Sequence, residues 1–405
     1  MRTDMYAIRG RVVTPRSIIT DGAVVIAGDA IAWVGESTDA VAAGFGDEIV
    51  AADSPTDERF VLPGLIDIHN HGGGSELFPS VQTREQVMRA VMDHRRHGTT
   101  SMVASLVTAS PLVLRERAEL LADVCDDGEL AGIHFEGPFV AQGHCGAQDP
   151  AHIQSPNPAL TRELMVVSRG HCVAMTIAHE KPYAMGPSGV AETLIEGGAI
   201  PSFGHTDANA AQTRKALREV REMFLKASHP RSPQATVTHL FNGMAPPHHR
   251  DPGPVFEFLA DAAGGGIVCE LIGDGVHLDP HIVTTTYELI GREQIVFVTD
   301  SIAAGFEQGS YSLGSTHFTI GQDRRPLMPE GGLAGGAAHL IDVVRTSHQG
   351  GIPLVDAVFC ASGVPARILG KSTLGTIEVG KQADLLITDA DLRPLRVIRR
   401  GKDIE

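Results

Sequence analysis

The chain has 405 residues, a formal net charge of −16, 42% hydrophobic residues, 19 histidines and 5 cysteines. This composition indicates a packed globular protein, and its acidity argues against nucleic acids and anionic membrane surfaces, which require a basic face on the protein. No apolar run of 18 residues, signal-peptide core or Cys-x-x-Cys pair occurs, so we expect a cytoplasmic protein without a membrane span, disulfide framework or zinc ribbon.

Both ends of the chain predict short β-strands separated by Asp-Gly and Gly-Asp turns. The strand candidates are residues 6–13, 22–27, 30–35, 48–51, 376–379, 384–388 and 395–399. Neither end contains enough apolar residues for a core of its own. We therefore predict one small β-sandwich domain, built from residues 1–60 and 372–405.

The middle of the chain, residues 61–371, alternates apolar runs with helix-like segments. The eight apolar runs are residues 65–71, 99–106, 130–137, 172–179, 199–206, 235–242, 267–275 and 294–301. The candidate helices are 84–97, 111–125, 191–196, 209–220, 280–290 and 337–349. Strands that are apolar on both faces and alternate with helices form a covered parallel sheet. Eight such units predict an α/β fold, a (β/α)8 TIM-like barrel.

Six of the eight runs end at or near a polar group, on the face where barrel enzymes build their active sites. These groups are His69, His71, Glu136, His205, His239, Asp274, His277 and Asp300. His69 and His71 lie on the same side of a strand because side chains alternate, and two such imidazoles chelate a borderline metal such as zinc.

Glu136 and Asp300 are carboxylates that can bind a metal ion or transfer a proton. A carboxylate at the end of a buried strand is costly unless it is paired or metal-bound, and the two oxygens of Glu136 can bridge two ions. Asp300 follows the last strand, where it can take a proton from a metal-activated water and pass it to a leaving group. His205 or His239 alone would fit a core histidine equally well. We assign six other histidines to the surface or to helix ends: His94, His97, His152, His171, His229 and His281.

The segment PGLIDIHNH at residues 63–71 resembles the metal-binding opening of the amidohydrolase superfamily. Five further segments in combination are similar to the branch of that superfamily that deacetylates amino-sugar phosphates. These are HFEGP at 134–138, GHT at 204–206, THLFNGM at 238–244, DGVH at 274–277 and VTD at 298–300. The resemblance spans roughly residues 5–390, nearly the whole chain.

The resemblance implies a metal-dependent hydrolysis of N-acetyl-D-glucosamine 6-phosphate to glucosamine 6-phosphate and acetate, in amino-sugar catabolism. It implies one or two divalent ions per subunit, zinc first and iron second. One ion would be held by His69, His71, Glu136 and Asp300, and the other by Glu136, His205 and His239. The implied substrate contacts are Ala147, Gln148, Asn242, the Gly243 N–H, Arg250 and His277.

The resemblance also implies a homodimer in which a phosphate ligand can come from the neighbouring subunit. A guanidinium such as that of Arg250 suits a phosphate dianion, although Arg250 can instead form a surface ion pair with Asp251. The chain departs from the family where Gln148 replaces a histidine in the loop after the third strand. Either Gln148 binds the sugar through neutral hydrogen bonds or His144 supplies the imidazole; Cys145, in the same loop, is interpreted as a bystander thiol.

Three other functions are alternatives to this deacetylation. A cyclic-amide hydrolase of the dihydroorotase or hydantoinase type belongs to the same superfamily, but it bridges its metals with a carboxylated lysine after strand 4, and Lys181 is displaced from that position. A deaminase would not need the phosphate-suited region around Arg250. A metal-free scaffold would be expected to lose the ligands that are present here.

Overall fold

The structure, a computed structural model, describes residues 5–52 and 58–405. Its strands in chain order are β1 (Met5–Val13), β2 (Ile18–Ala27), β3 (Ala30–Glu36), β4 (Phe60–Pro63), β5 (Leu65–Asn70), β6 (Gly72–Gly73), β7 (Glu76–Leu77), β8 (Thr99–Val107), β9 (Gly132–Glu136), β10 (Cys172–Ile177), β11 (Ile200–Phe203), β12 (Ala235–Val237), β13 (Ile267–Leu271), β14 (Ile295–Phe297), β15 (Gly309–Leu313), β16 (Thr316–Ile320), β17 (Pro326–Leu327), β18 (Leu385–Thr388), β19 (Pro394–Arg399) and β20 (Lys402–Asp403). Its α-helices are α1 (Gly46–Ala51), α2 (Arg84–Arg96), α3 (Pro111–Asp126), α4 (Pro158–Val167), α5 (Val190–Glu196), α6 (Ala210–Lys226), α7 (Val255–Ala263), α8 (Pro280–Ile290), α9 (Leu340–Gln349), α10 (Leu354–Cys360) and α11 (Gly363–Ile368).

Eight parallel strands form the central sheet in the order β14-β13-β12-β11-β10-β9-β8-β5. Backbone hydrogen bonds also connect the two outermost strands of that order, because the N–H of Asp300 donates to the His69 carbonyl and the N–H of His71 donates to the Ser301 carbonyl, both at 2.9 Å. The sheet therefore closes on itself. The predicted barrel is confirmed, as are the eight strands and the six helices predicted for it.

The barrel has apolar side chains on both surfaces of its strands, which is why each strand reads as a continuous apolar run. Inside the barrel, Ile66, Val103, Val268 and other inward side chains pack with residues of α11 such as Val364. Outside, a larger core fills the space between the strands and the helices. No helix of the described residues is long and apolar enough to cross a membrane.

The two chain ends join in one seven-stranded sheet, in the order β20-β19-β18-β4-β1-β2-β3. This sheet curls over its own apolar core, because Ile31 in β3 donates its N–H to the Lys381 carbonyl at 2.8 Å, just before β18. The predicted pairing of both chain ends in one small β unit is therefore confirmed, and the unit contains a single seven-stranded sheet.

Two strands predicted in this region are wrong. Residues 48–51 lie within α1, whose first turn contains Asp47 and Glu48, and Ile49 packs against the outer face of β1 and β2. Acidic residues favour the start of a helix, and burial of a single side chain is compatible with one short turn. Residues 376–379 are not a strand, because Gly375 and Gly380 turn the chain at each end with φ of +84°.

An insertion between β14 and α9 was not predicted. It forms a small antiparallel sheet of β15, β16 and β17. Leu313 and Phe318 from this sheet pack against Ile302 and Phe306, which follow the last barrel strand. The hydroxyl of Thr316 donates to the Ala147 carbonyl at 2.9 Å. The insertion is thereby fixed to the loop that follows the third barrel strand.

Candidate metal centre and active-site cavity

Four histidines and two carboxylates meet at the carboxyl ends of the barrel strands. His69 and His71 come from the first strand, β5, and Glu136 ends the third, β9. The remaining three, His205, His239 and Asp300, lie just beyond β11, β12 and β14. The structure thus brings together all six residues predicted as metal ligands.

The first group consists of His69, His71, Glu136 and Asp300. The Nε2 atoms of His69 and His71 lie 3.3 and 3.2 Å from Asp300 Oδ1. Glu136 closes the group, with Oε1 3.5 Å from His69 Nε2 and Oε2 3.2 Å from His71 Nε2. Candidate ligand atoms of all four residues lie within 4.8 Å of one another.

The second group shares Glu136 with the first. Glu136 Oε1 lies 3.0 Å from His205 Nε2 and 2.9 Å from His239 Nε2, and these two nitrogens are 3.1 Å apart. Because Oε2 faces His71 while Oε1 faces His205 and His239, the geometry of Glu136 suits a carboxylate that bridges two ions.

Hydrogen bonds at the far side of the rings decide which nitrogen carries the lone pair. The Nδ1 atoms of His71 and His205 lie 3.2 and 2.8 Å from the carbonyl oxygens of Ser105 and His144, so both must donate. His69 Nδ1 lies 2.9 Å from Glu270 Oε2. The Nε2 atoms of the neutral rings therefore face one another with lone pairs, an arrangement that needs a cation between them. Imidazole and carboxylate donors suit a borderline divalent ion such as zinc.

The charges around the site favour cations in the same way. Burial by itself would lower the pKa of His69, but Asp300, Glu136 and Glu270 raise it to about 10. Burial would raise the pKa of Asp300, but His69 and His71 bring it to about 2. No lysine or arginine of the described residues lines the adjoining cavity. The His69 imidazole thus binds a proton strongly when no metal is bound, and a metal ion would compete with that proton.

Three of the six residues have backbone conformations that non-glycine residues rarely adopt. The φ angles are +45° at His205, +30° at His239 and +48° at Asp300. Such conformations cost on the order of 1–3 kcal/mol each and persist only where surrounding structure holds them. Asp300 is held from both sides, because its N–H donates to His69 and its carbonyl accepts from Gly336 at 2.7 Å.

A cavity of about 300 Å³ opens beside the six residues. Five of the predicted substrate contacts line it: Ala147, Gln148, Asn242, Gly243 and His277. Arg250 does not line it; its guanidinium is exposed and contacts His249 Nε2 at 2.7 Å. Lys181, the residue that a cyclic-amide hydrolase would need, is also absent from the described lining residues, whereas Glu136 is among them.

His277 is held in the cavity wall by Asp274. Asp274 Oδ2 lies 2.9 Å from His277 Nδ1, and its Oδ1 accepts the backbone N–H groups of Val276 and His277. Burial lowers the pKa of His277, but the Asp274 carboxylate raises it above the usual value. The pair therefore presents a fixed, readily protonated imidazole.

On the loop after β9, the side chains of Gln148 and His144 both contact other residues of the protein. Gln148 is buried; its amide donates to Glu136 Oε2 at 2.5 Å and accepts the N–H of Thr108 at 2.6 Å. The His144 ring contacts Asp207 instead, at 2.6 Å, while its carbonyl supports His205. Gln148 thus contacts the shared carboxylate directly.

Two features of the site were missed in the sequence. Glu270 is a buried carboxylate within β13, and a charged residue in the otherwise apolar run IVCEL was the available signal. The far wall of the cavity comes from the insertion, through Leu313, Leu333, Ala334 and Gly335. His94, which we assigned to the surface or to a helix end, lies in the last turn of α2 but is fully buried, with Nε2 2.9 Å from the Gly72 carbonyl.

Comparison with known proteins assigns the family. The sequence profile of the amidohydrolase family matches residues 60–403. The chain belongs to the amidohydrolase family. The N-acetylglucosamine-6-phosphate deacetylase of Bacillus subtilis (strain 168) is 31% identical over 96% of this chain and 94% of its own.

Two further relatives place this amidohydrolase beside deacetylases. The N-acetylgalactosamine-6-phosphate deacetylase of Shewanella sp. (strain ANA-3) is 29% identical over 84% of this chain and 82% of its own. The crystal structure of N-acetyl-D-glucosamine-6-phosphate deacetylase from Mycobacterium smegmatis superposes with a TM-score of 0.85 at 30% identity, covering 99% of this chain and all of that one.

Proposed function

We propose that this amidohydrolase removes the acetyl group of N-acetyl-D-glucosamine 6-phosphate, giving glucosamine 6-phosphate and acetate. The observation that carries the proposal is the pair of ligand groups sharing Glu136 beside a cavity of about 300 Å³. That volume lies at the small end of ligand pockets and suits one sugar ring. The similarity to the Bacillus subtilis deacetylase names the substrate.

The metal ligands in this proposal are His69, His71, Glu136, His205, His239 and Asp300, with zinc as the ion. Divalent ions bound there would supply an activated water and Lewis acidity toward a carbonyl. The protein orients the ligands: Ser105, His144 and Glu270 fix the rings through Nδ1.

Asp300 is the proposed catalytic base and acid. Its carboxyl group is ionised at neutral pH, since its pKa is about 2, and its side chain lines the cavity. It would take a proton from the attacking water and return it to the nitrogen as the C–N bond breaks. His277, whose Nδ1 is engaged by Asp274, would present Nε2 to the acetamido carbonyl oxygen.

The sugar and phosphate are assigned to the remaining predicted contacts. Asn242, the Gly243 N–H, Ala147 and Gln148 line the cavity and would bind the sugar. Arg250 would bind the phosphate. Because Arg250 does not line the cavity of its own subunit, we propose a homodimer in which it serves the cavity of the neighbouring subunit. We also propose that this homodimer is cytoplasmic.

The test combines metal analysis with acetate release. Purified protein would be assayed on N-acetyl-D-glucosamine 6-phosphate, its galactosamine epimer, unphosphorylated N-acetylglucosamine and dihydroorotate. We expect metal in the protein and the highest kcat/KM on the glucosamine phosphate. Metal-loaded protein that releases no acetate, or that hydrolyses dihydroorotate instead, would overturn the proposal.

The galactosamine epimer is a second candidate substrate, favoured by the similarity to the Shewanella enzyme. The two sugars differ only in the orientation of the hydroxyl at C4, so the ratio of their kcat/KM values in the same assay decides between them.

A further inference from the structure

A second set of metal-ligating side chains lies away from the proposed catalytic centre, where α2 meets the start of α9. Candidate ligand atoms of Asp93, His97 and His339 all lie within 4.8 Å of one another. His339 Nε2 is 2.9 Å from Asp93 Oδ2, and the rings of His97 and His339 are stacked with centroids 3.6 Å apart. We propose that these three side chains bind a zinc ion.

The tautomer of His97 supports this site. Its Nδ1 lies 2.7 Å from the Asp93 carbonyl oxygen, so Nδ1 donates a hydrogen and Nε2 retains the lone pair. A backbone carbonyl that accepts from one ring nitrogen is the usual support for a histidine that binds metal through the other. On His339, the carboxylate of Asp342 lies 3.8 Å from Nδ1, beyond hydrogen-bond distance, and places a negative charge beside that ring.

Two neighbouring residues, Gly305 and His94, border the three side chains. A side chain at Gly305 would place its Cβ 2.8 Å from Asp93 Oδ1, so glycine at that position leaves the carboxylate uncovered. The neighbouring His94 is fully buried, its ring centroid lies 5.1 Å from that of His339, and its Nδ1 has no hydrogen-bond partner among the described residues. Buried polar atoms are normally satisfied, so a water molecule at this position would complete the hydrogen bonding of His94.

Two imidazoles and one carboxylate are a donor set that favours zinc. Ligand atoms of a tetrahedral zinc ion at 2.0–2.1 Å are roughly 3.3 Å apart. The candidate ligand atoms lie within 4.8 Å of one another, so small rotations of the three side chains would accommodate the ion. Asp93 and His339 are only 19% and 12% exposed, which limits competition from water. The ion would join α2 to α9, beside the His94 that supports the Gly72 carbonyl.

The test counts and locates zinc rather than turnover, so its outcome is independent of the proposed deacetylase activity. Protein would be stripped with chelator, reloaded with Zn²⁺, freed of excess metal and analysed for zinc per chain. His97→Gln removes one ligand without altering the residue that precedes α9, and Asp93→Asn removes another. His229→Gln, at an exposed position, is the matched control.

We expect both ligand variants to bind one zinc ion fewer per chain than the wild type and the control. Anomalous diffraction from wild-type crystals at the zinc edge should show a peak between Asp93 and His339, and this peak should be missing in His97→Gln. Equal zinc content in wild type and His97→Gln, loss of zinc in the His229→Gln control, or anomalous peaks confined to the catalytic centre would overturn the inference.

Discussion

His69 donates its Nδ1–H to Glu270 Oε2 at 2.9 Å, and the same carboxylate oxygen accepts the backbone N–H of His239 at 3.2 Å. One buried carboxylate on β13 therefore contacts a side chain from the first ligand group and the backbone of a residue from the second. A carboxylate behind a histidine ligand fixes its ring and raises its basicity.

Glu270→Gln should weaken metal binding while preserving the shape of the site. The amide oxygen still accepts a hydrogen bond but supplies no charge, so we expect affinity to fall by about 10–100-fold. Competition with a chromophoric chelator measures the affinity directly. Glu288→Gln, at an exposed position on α8, is the control, and equal affinities in the two variants would contradict a positioning role for Glu270.

Asp300→Asn should reduce kcat much more than it reduces metal content. The amide cannot accept a proton from water, and loss of a general acid–base group costs about 10²–10⁴-fold. Acetate release and metal analysis on the same samples measure both quantities. A near-normal kcat in Asp300→Asn would remove this residue from the proposed mechanism.

Arg250→Ala should lower kcat/KM by roughly 10–100-fold, the loss of about 1.5–3 kcal/mol of charged hydrogen bonding. If Arg250 serves the neighbouring subunit, mixing this impaired variant with Asp300→Asn should restore up to about one quarter of the wild-type rate, because half of the dimers are mixed and each mixed dimer has one complete site. Re-equilibrated mixtures would be assayed against each variant alone. No recovery in a demonstrated mixed dimer would show that Arg250 does not act across subunits.

His179 should make the fold sensitive to acid. Burial lowers its pKa to about 3, and its ring packs beside Phe203 and Phe258. Below the ordinary pKa near 6.5 the unfolded chain binds a proton that the folded chain does not, so stability falls as the pH drops from 6.5 toward 3. Between pH 6.5 and 5 this loss is about 2 kcal/mol.

His179→Leu should lack that component of acid destabilisation. Urea unfolding at pH 7.5 and 5 compares the wild type, His179→Leu and the exposed control His281→Gln. The leucine variant should lose less stability than the other two when the pH is lowered. An identical pH dependence in all three proteins would mean that His179 is already protonated in the fold, or is solvated there.

The sequence predicted the barrel and the ligand groups because both depend on local signals. Apolar runs mark the strands, and a polar residue at the end of such a run, as at Glu136 or His239, lies at the face where parallel strands meet. Residues whose role depends on distant partners were missed. Glu270 contacts a residue 201 positions away, and the surroundings of His94 become apparent only when α2 packs against the loop after β5.

The seven-stranded sheet and the insertion also contain features that depend on distant contacts and were missed in the sequence. Residues 48–51 have strand-like composition, yet they lie in a helix. The helix is stabilised where Ile49 packs against one face of β1 and β2, a contact that the local sequence does not reveal. The alternation in β15 and β16 is too short to stand out in a sequence. The contribution of the insertion to the cavity wall depends on the contact between Thr316 and the Ala147 carbonyl.

The barrel closes at the point where its candidate metal ligands are held. The backbone of Asp300 pairs with His69, and that of His71 pairs with Ser301, so this seam joins the earliest and latest strands of the barrel through the ligands themselves. A partly folded chain, with the seam still open, would lack Asp300 beside the two histidines. We therefore expect metal binding and hydrolysis only in chains whose barrel has closed.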